Sequence, residues 1–458
     1  MTEHAIAAEL HVRPRGRRAA ARPNPALANA MASLAGAGLG LTLLLTISTE
    51  RLSSLGNRGE LVVFLGRLAG MAGAYAMIVL VLLVARLPVI ERVAGQDRLV
   101  AWHRRLGPWP LYLVAAHGVL ITLGYAAQAR TGAAAELWTL LTTYPGVLAG
   151  TAAFGLLIGA GVSSYRRIRR RLAYETWWAV HLYTYLALFL AFSHQVANGQ
   201  PFVGHPVARA IWTAMWVGAA AAILAYRVGV PLVRTLVHRP VVESVQCDGP
   251  DVVSIIVRGR ALDRLPVSGG QFLQWRVLRR ALWWHAHPYS LSSLPRNGRL
   301  RLTVKAVGDH SRALARVAPG TRLAIEGPYG AFTRDALRGD RVLLVGAGVG
   351  ITPVRALLED LPAGVDADVI VRASSDRELV LRDEIRAWSQ RRGARLHELV
   401  GPRAQVPLHR DALLALVPDV AVGDVYVCGP DGFMTRIAHS AVSAGADPAR
   451  VHFERFEF

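Results

Sequence analysis

The sequence predicts an all-α membrane bundle of six helices, followed by an antiparallel β-barrel and then a doubly wound α/β domain. Three observations carry that expectation. The chain has 458 residues, is 52% hydrophobic and has a mean hydropathy of +0.30, and its apolar content gathers in the first half. There it forms six runs, about 31–49, 61–85, 106–128, 140–163, 175–196 and 207–230, each near the roughly 20 residues a bilayer requires. After Arg239-Pro240 the pattern changes to short alternating runs between Gly, Pro and Asp, and from Arg341 apolar strands alternate with helical stretches. The expected divisions are a basic tail over 1–28, a six-span domain over 29–238, a barrel over 239–338 and an α/β domain over 339–458.

The tail is rich in Ala, Arg and Pro and is expected to be disordered. Arg17-Arg18 invites a twin-arginine signal reading, but the apolar run behind it is long enough to span, so a basic flank kept inside is preferred. The formal charge of +20 does not point to nucleic acid, because Lys305 is the only lysine and many arginines flank the apolar runs. Arg13, Arg15, Arg17, Arg18 and Arg22 precede the first run, Arg86, Arg92, Arg98, Arg104 and Arg105 follow the second, and Arg166, Arg167, Arg169, Arg170 and Arg171 follow the fourth. The alternate loops carry only Arg51, Arg58 and Arg130, which predicts a multi-pass protein of the plasma (inner) membrane with both termini cytoplasmic. Cys247 and Cys428 make no disulfide framework and suit a reducing compartment.

Within the spans, His103 and His117 stand fourteen residues apart, and His181 and His194 thirteen apart two helices later. On a helix each separation is roughly 20 Å, so one histidine of each pair falls near each membrane face. Imidazole inside hydrocarbon is costly without a partner. Spans three and five run in the same direction, so His103 is level with His181 near the cytoplasm and His117 with His194 near the outer face. Such pairs could hold two b-type hemes as axial ligands, leaving no open position for substrate and favouring electron transfer. Thirteen residues leave His181 and His194 about 140° apart on an ideal helix, so a tilt or local irregularity is expected there. Pro108 and Pro110 predict a kink between His103 and His117.

In the barrel, expected strands begin at Val241, Val252, Gln271, Arg299 and Thr321. The segment His287-Pro288-Tyr289-Ser290 offers a flat aromatic face and a small hydroxyl donor, the groups that a flavin ring requires. Lys305, Gly308 and Ser311 place a cation, a flexible turn and a hydroxyl ahead of a helix start, which suits a pyrophosphate; a hairpin turn with a capped helix is the alternative. In the α/β domain, strands are expected at 341–345 and near 367–373, 395–400 and 424–428. Gly346, Gly348 and Gly350 let the backbone approach a phosphate, with Thr352 as an extra donor and Pro353 opening the helix. The spacing from Gly348 to Pro353 is G-x-G-x-x-P, unlike that of ordinary dehydrogenases. Cys428-Gly429-Pro430 ends a strand where open parallel sheets bind ligands, so Cys428 is either beside a nicotinamide or a buried structural cysteine. Arg372, Ser374 and Arg377 follow the second strand of the domain, and arginines there favour the 2′-phosphate of NADPH over NADH.

In this order the motifs resemble the ferric reductase and NADPH oxidase superfamily over about residues 60–458. The resemblance rests on the two histidine pairs, HPYS where the family has HPF-[S/T], VGDHSRAL, Gly327-Pro328-Tyr329-Gly330, GVGITP, the CGP triplet and the aromatic end Phe456-Glu457-Phe458. It implies that Tyr289 and Ser290 contact the FAD ring, that Lys305, Gly308 and Ser311 hold its phosphates, and that Phe458 covers the face nicotinamide must reach. It also implies that Gly348, Gly350, Thr352 and Cys428 line the NADPH site. Electrons would then pass from NADPH to FAD, the inner heme, the outer heme and an outside acceptor. Arg67 resembles an oxidase feature, an arginine placed for a heme propionate or dioxygen. The histidine that animal oxidases carry four positions after the outer ligand is here Ile121, and short outer loops supply no folded lid. Dioxygen is slightly favoured over a ferric chelate or a periplasmic partner. A heme-free transporter or sensor fused to a flavin reductase is the reading from another class.

Overall fold

The computed structural model describes residues 25–50, 56–279, 282–283, 286–402 and 405–455, and it divides at Leu236 into a helical unit and a C-terminal unit. The expected tail over 1–28 and the aromatic end, Phe458 included, lie almost wholly or wholly outside those residues.

The helical unit runs α1 (Pro25–Ile47), α2 (Arg58–Val84), α3 (Pro88–Ala94), α4 (Gln96–Leu106), α5 (Pro108–Ala129), α6 (Ala133–Thr143), α7 (Val147–Ser164), α8 (Arg166–Arg169), α9 (Tyr174–Asn198), α10 (Pro206–Ile223), a π-helical turn (Leu224–Gly229) and α11 (Val230–His238). Among the described residues five helical stretches are long and apolar enough to cross a membrane: Asn29–Ile47, Arg58–Val84, Arg98–Ala129, Val147–Ser164 and Pro206–His238. The remaining long helix, α9, has 25 residues, but its histidines, tyrosines and Gln195 lower its hydropathy. Large side chains such as Phe189, Val217 and Leu224 face outward from these helices, as expected where hydrocarbon replaces water.

Two expectations need correction. The run at 140–163 divides at Tyr144-Pro145-Gly146, where Gly146 is left-handed (φ +79°). Residues 140–143 belong to α6, so the connection between the third and fourth apolar stretches carries a helix of its own. Of the tilt or local irregularity expected between His181 and His194, the helix shows no break: α9 is continuous from Tyr174 to Asn198. At Gly107, where a kink is expected, Pro108 and Pro110 open α5. Gly107 keeps helical angles and donates to the His103 carbonyl at 2.8 Å, so α4 runs on into α5. Proline at the start of a helix forfeits no internal hydrogen bond.

Helices α2 and α5 pack closely because α2 presents a glycine every seven residues. A Cβ at Gly59 would lie 2.9 Å from Gln128 Cγ, at Gly66 3.1 Å from the Ile121 nitrogen, and at Gly73 3.1 Å from Leu113 Cβ; from the other side Gly124 meets Val63. Small residues allow this backbone approach where no hydrophobic effect drives helices together. Elsewhere in the unit Trp212 is fully buried and donates to Gln195 Oε1 at 2.8 Å, and the Tyr75 hydroxyl donates to the Ala35 carbonyl at 2.7 Å.

The C-terminal unit begins with two three-stranded antiparallel sheets, β1-β2-β5 and β4-β3-β6, from β1 (Val241–Gly249), β2 (Val252–Arg258), β3 (Phe272–Val277), β4 (His287–Ser290), β5 (Arg299–Lys305) and β6 (Leu323–Tyr329). Bridges Val241–Arg322 and Leu291–Leu302 join their edges. Alternate residues, among them Ile255, Val257, Leu273, Trp275, Leu300, Leu302 and Ile325, point into a shared core, the period-two pattern read from the sequence. Helix α12 (Asp309–Ala315) follows β5.

A five-stranded parallel sheet follows in the order β11-β10-β7-β8-β9, from β7 (Arg341–Ala347), β8 (Asp366–Ala373), β9 (Arg395–Val400), β10 (Asp424–Cys428) and β11 (Val451–Glu454). Its faces are covered by α13 (Ile351–Asp360), α14 (Arg382–Arg392), α15 (Arg410–Leu416) and α16 (Asp431–Ser443). Chain order reverses between β7 and β10, the crevice where open parallel sheets take ligands. Buried charges tie the sheet domain to the antiparallel strands. Arg355 is paired with Glu359 and with Glu384 (2.9 Å), Arg301 with Glu384 (2.5 Å) and Arg296 with Glu359 (2.9 Å).

Candidate functional site

Three clusters emerge, one in the helical unit and two in the C-terminal unit. In the first, His103 on α4 faces His181 on α9 with ring centroids 6.2 Å apart, and His117 on α5 faces His194 on α9 at 6.4 Å. The level-by-level pairing follows the sequence expectation. Two histidine–metal bonds of about 2 Å, plus about 1 Å from each nitrogen to its ring centre, span about 6 Å, so each pair has room for one iron between its imidazoles. The far nitrogens are arranged for that role. His103 Nδ1 lies 3.1 Å from the Leu80 carbonyl and His117 Nδ1 2.8 Å from the Gly66 carbonyl, which fixes each ring and turns Nε2 to the partner helix. His181 Nδ1 is buried without a hydrogen-bond partner among the described residues. Polar atoms are seldom left so unless a ligand completes the site.

Glycine makes the space for the His117–His194 pair. A Cβ at Gly70 would sit 2.6 Å from His117 Nδ1, and one at Gly150 3.0 Å from His194 Cγ. One residue from the Gly66 carbonyl, Arg67 is bonded to Glu50 (2.5 Å) and to the Tyr125 hydroxyl (3.3 Å). Sequence reasoning found Arg67 but missed Glu50, Tyr125 and these glycines.

The second cluster centres on β4. Pairing of Phe272 with Ser290 and Leu273 with Tyr289 holds the segment extended. Tyr289 lines a cavity with Trp275, His287, His310 and Leu314, and burial pushes its phenol up to about 12. His287 lies against His310 with ring centroids 4.6 Å apart and planes tilted by 36°, a neighbour that the sequence showed only inside VGDHSRAL. The Ser290 hydroxyl is buried without a hydrogen-bond partner among the described residues, as a donor awaiting a ring heteroatom would be. Lys305 and Gly308, at the end of β5 and the start of α12, are exposed. Ser311 is engaged differently from the expectation: its Oγ accepts from the Gly308 nitrogen (2.9 Å) and donates to the Gly308 carbonyl (3.0 Å), capping α12.

The third cluster lies at the carboxyl ends of β7 and β10. Gly346 pairs with Cys428 across the strands, and a Cβ at Gly350 would strike the Cys428 carbonyl, so glycine alone lets the turn pass over β10. Gly348 is left-handed (φ +56°) with open space where its side chain would be, an accessible backbone suited to a phosphate. Thr352 is buried and donates to the Val349 carbonyl (2.9 Å), so its hydroxyl is already spent. Cys428 is fully buried between Gly346 and Glu454; burial, then the Glu454 charge, push its thiol well up, and it stays protonated. Arg372 departs from the expected phosphate role. Its guanidinium is buried on the carbonyls of Ala373, Leu399 (3.2 Å) and Gly401 (2.6 Å), while Ser374 and Arg377 stay exposed beyond the strand.

Comparison with known proteins fits this division. The family model for the ferric reductase like transmembrane component matches residues 69–192, and that for an FAD-binding domain matches 239–333. The ferredoxin reductase component of 3-ketosteroid-9-alpha-monooxygenase from Rhodococcus rhodochrous is 32% identical over 42% of this chain and 57% of its own length. Ferredoxin–NADP reductase B from Sorangium cellulosum is 30% identical over 42% of this chain and 82% of its own. A probable metalloreductase from Yarrowia lipolytica is 24% identical over 79% of this chain and 58% of its own. The FAD/NAD-binding domain of a Vibrio cholerae nitric oxide dioxygenase superposes with a TM-score of 0.41 at 25% identity, over 47% of this chain and 98% of that one. The chain spans about half the length of the first curated relatives it matches.

Proposed function

From the premise that the chain belongs to the ferric reductase and NADPH oxidase-like superfamily, with a ferredoxin–NADP reductase-like flavin module in its second half, we propose that it carries electrons from cytoplasmic NADPH across the plasma membrane to an acceptor outside. The six long helical stretches would span the bilayer with both termini inside. The bound groups supply hydride acceptance at FAD and single-electron passage at two b-type hemes.

The chain's residues would share the work as follows. His103 with His181, and His117 with His194, would hold the inner and outer irons, which supply single-electron passage. Tyr289 lays its ring along the flavin and Ser290 donates to it, while His287, Pro288, Lys305, Gly308 and the Ser311 cap shape the ground around its phosphates. Gly346, Gly348, Gly350 and Gly429 admit the nicotinamide nucleotide. Cys428, kept protonated by burial, packs as a neutral thiol beside it, and Ser374 and Arg377 receive the 2′-phosphate with Arg372 and Thr352 bracing the loops behind. By the family resemblance, Phe458 would cover the nicotinamide face of the flavin. Outward passage of an electron is favoured by roughly 2.3 kcal/mol per 100 mV in a cell negative inside.

The single observation that carries this reading is the pair of facing imidazoles at 6.2 and 6.4 Å at two levels of the same helices. Dioxygen, yielding superoxide, is the favoured acceptor, because Arg67 and Tyr125 set polar groups within a residue of the His117 support. The metalloreductase relative supports a second reading, reduction of a ferric chelate. NADPH-driven cytochrome c reduction by the purified chain separates the two. Inhibition by superoxide dismutase is expected; insensitivity together with ferric citrate reduction would transfer the assignment to the chelate.

A further inference from the structure

The imidazole of His181 is stacked. Trp177, one helical turn before it on α9, lies against it with ring centroids 5.3 Å apart and planes at 25°. The guanidinium of Arg169 covers the Trp177 ring at 4.7 Å and reaches Tyr174 at 5.6 Å. Both outer members are fixed: the Trp177 Nε1–H donates to Ser164 Oγ at 3.0 Å, and Arg169 Nη1 donates to the Leu172 carbonyl at 3.4 Å. A column therefore runs from the arginine loop at Arg166–Arg171, through an indole, to one member of the inner histidine pair.

Each layer has a physical consequence. A flat ring against the imidazole limits rotation of His181 about its Cβ–Cγ bond, so the ring plane offered to a metal is set by Trp177. A guanidinium over an indole is held by the ring quadrupole. Arg169 is half-buried while its neighbours Arg167 and Arg170 are exposed, so its charge is screened less than theirs, and a fixed positive charge favours whichever redox state holds one more electron.

We propose that Arg169 and Trp177 are positioning residues for His181: the indole fixes the imidazole plane, and the guanidinium charge raises the reduction potential of the inner heme and eases electron entry from the flavin. The proposal rests on the reading that His103 and His181 ligate that heme.

The test is a redox titration of the purified full-length chain, followed by heme absorbance, with the inner component identified as the one missing from His103→Ala. Arg169→Gln is expected to lower the reduction equilibrium of that component about tenfold, 59 mV for a one-electron couple, and to leave the other in place. Trp177→Leu should do the same and also alter the low-spin electron paramagnetic resonance signal of that component, while Trp177→Phe, which keeps a flat face, should shift it less. Arg166→Gln, in the same loop and exposed, should move neither component. Equal shifts from Arg166→Gln and Arg169→Gln, or potentials indifferent to Arg169, would overturn the proposal and leave the heme assignment standing. Absence of heme bands from the wild-type chain would remove that assignment and the proposal together.

Discussion

The helical unit and the C-terminal unit bury polar groups to opposite ends. In the helical unit the central buried polar groups are imidazoles that face one another in pairs, with one nitrogen of each α4 and α5 histidine held by a backbone carbonyl. In the C-terminal unit they are opposite charges that satisfy one another, Arg355 with Glu359 and Glu384, and Arg301 with Glu384. The first arrangement leaves room between the rings for a bound group, whereas the second is complete as it stands. Loss of a group should therefore cost the helical unit a ligand and the C-terminal unit its stability.

That contrast is open to direct attack. The largest effect is expected from His117→Ala, which should remove about half of the heme absorbance while far-ultraviolet circular dichroism stays unchanged. A loss of helicity in step with heme would erase the distinction. Next, Arg355→Ala removes the fully buried cation shared by Glu359 and Glu384, leaving each with one arginine, Arg296 and Arg301; breaking a buried pair from one side costs about 3–5 kcal/mol, and the remaining arginines place this loss at or below the lower end. Flavin release on heating should then occur at a clearly lower temperature with the heme bands unaffected. Gly70→Ala places a methyl 2.6 Å from His117 Nδ1, yet alanine suits a helix better than glycine. The expected result is an intact fold with a perturbed outer heme spectrum, and a milder perturbation from Gly150→Ala.

The smallest effect is a pH dependence. Burial would raise the Glu384 carboxyl, but the hydrogen bonds from Arg301 and Arg355 and their charges outweigh it and hold the group below its ordinary 4.5. Its folded-state value is thus depressed, so the stabilisation is whole above about pH 4.5 and fades as pH falls through the folded-state value. Thermal scans of flavin release between pH 6 and 3 should show a decline that Glu384→Gln flattens.

The same division governs how much of the molecule the sequence disclosed. Side chains repeated at helical spacing are legible, so the four histidines and their levels followed from counting residues. The parallel sheet was legible too, because β7, β8 and β10 carry continuous apolar runs. Short strands were less so: β4 has four residues with a proline inside, and β11 also has four. Side-chain reach was not legible at all. Arg372 stands where a phosphate contact is expected, and only the structure turns its guanidinium back onto the carbonyls of β8 and β9. Ser311 and Thr352 were likewise named for hydroxyls that the local backbone already engages. Gly70 and Gly150 were overlooked because a glycine that clears room for a ring on a neighbouring helix leaves no local pattern.

The most direct measurement is the dithionite-reduced minus oxidised absorbance spectrum of the purified full-length chain, with heme and flavin quantified against protein. The account predicts b-type bands amounting to two hemes for each FAD, falling to one when either His117 or His103 is replaced. A chain that retained flavin and showed no heme bands would contradict it.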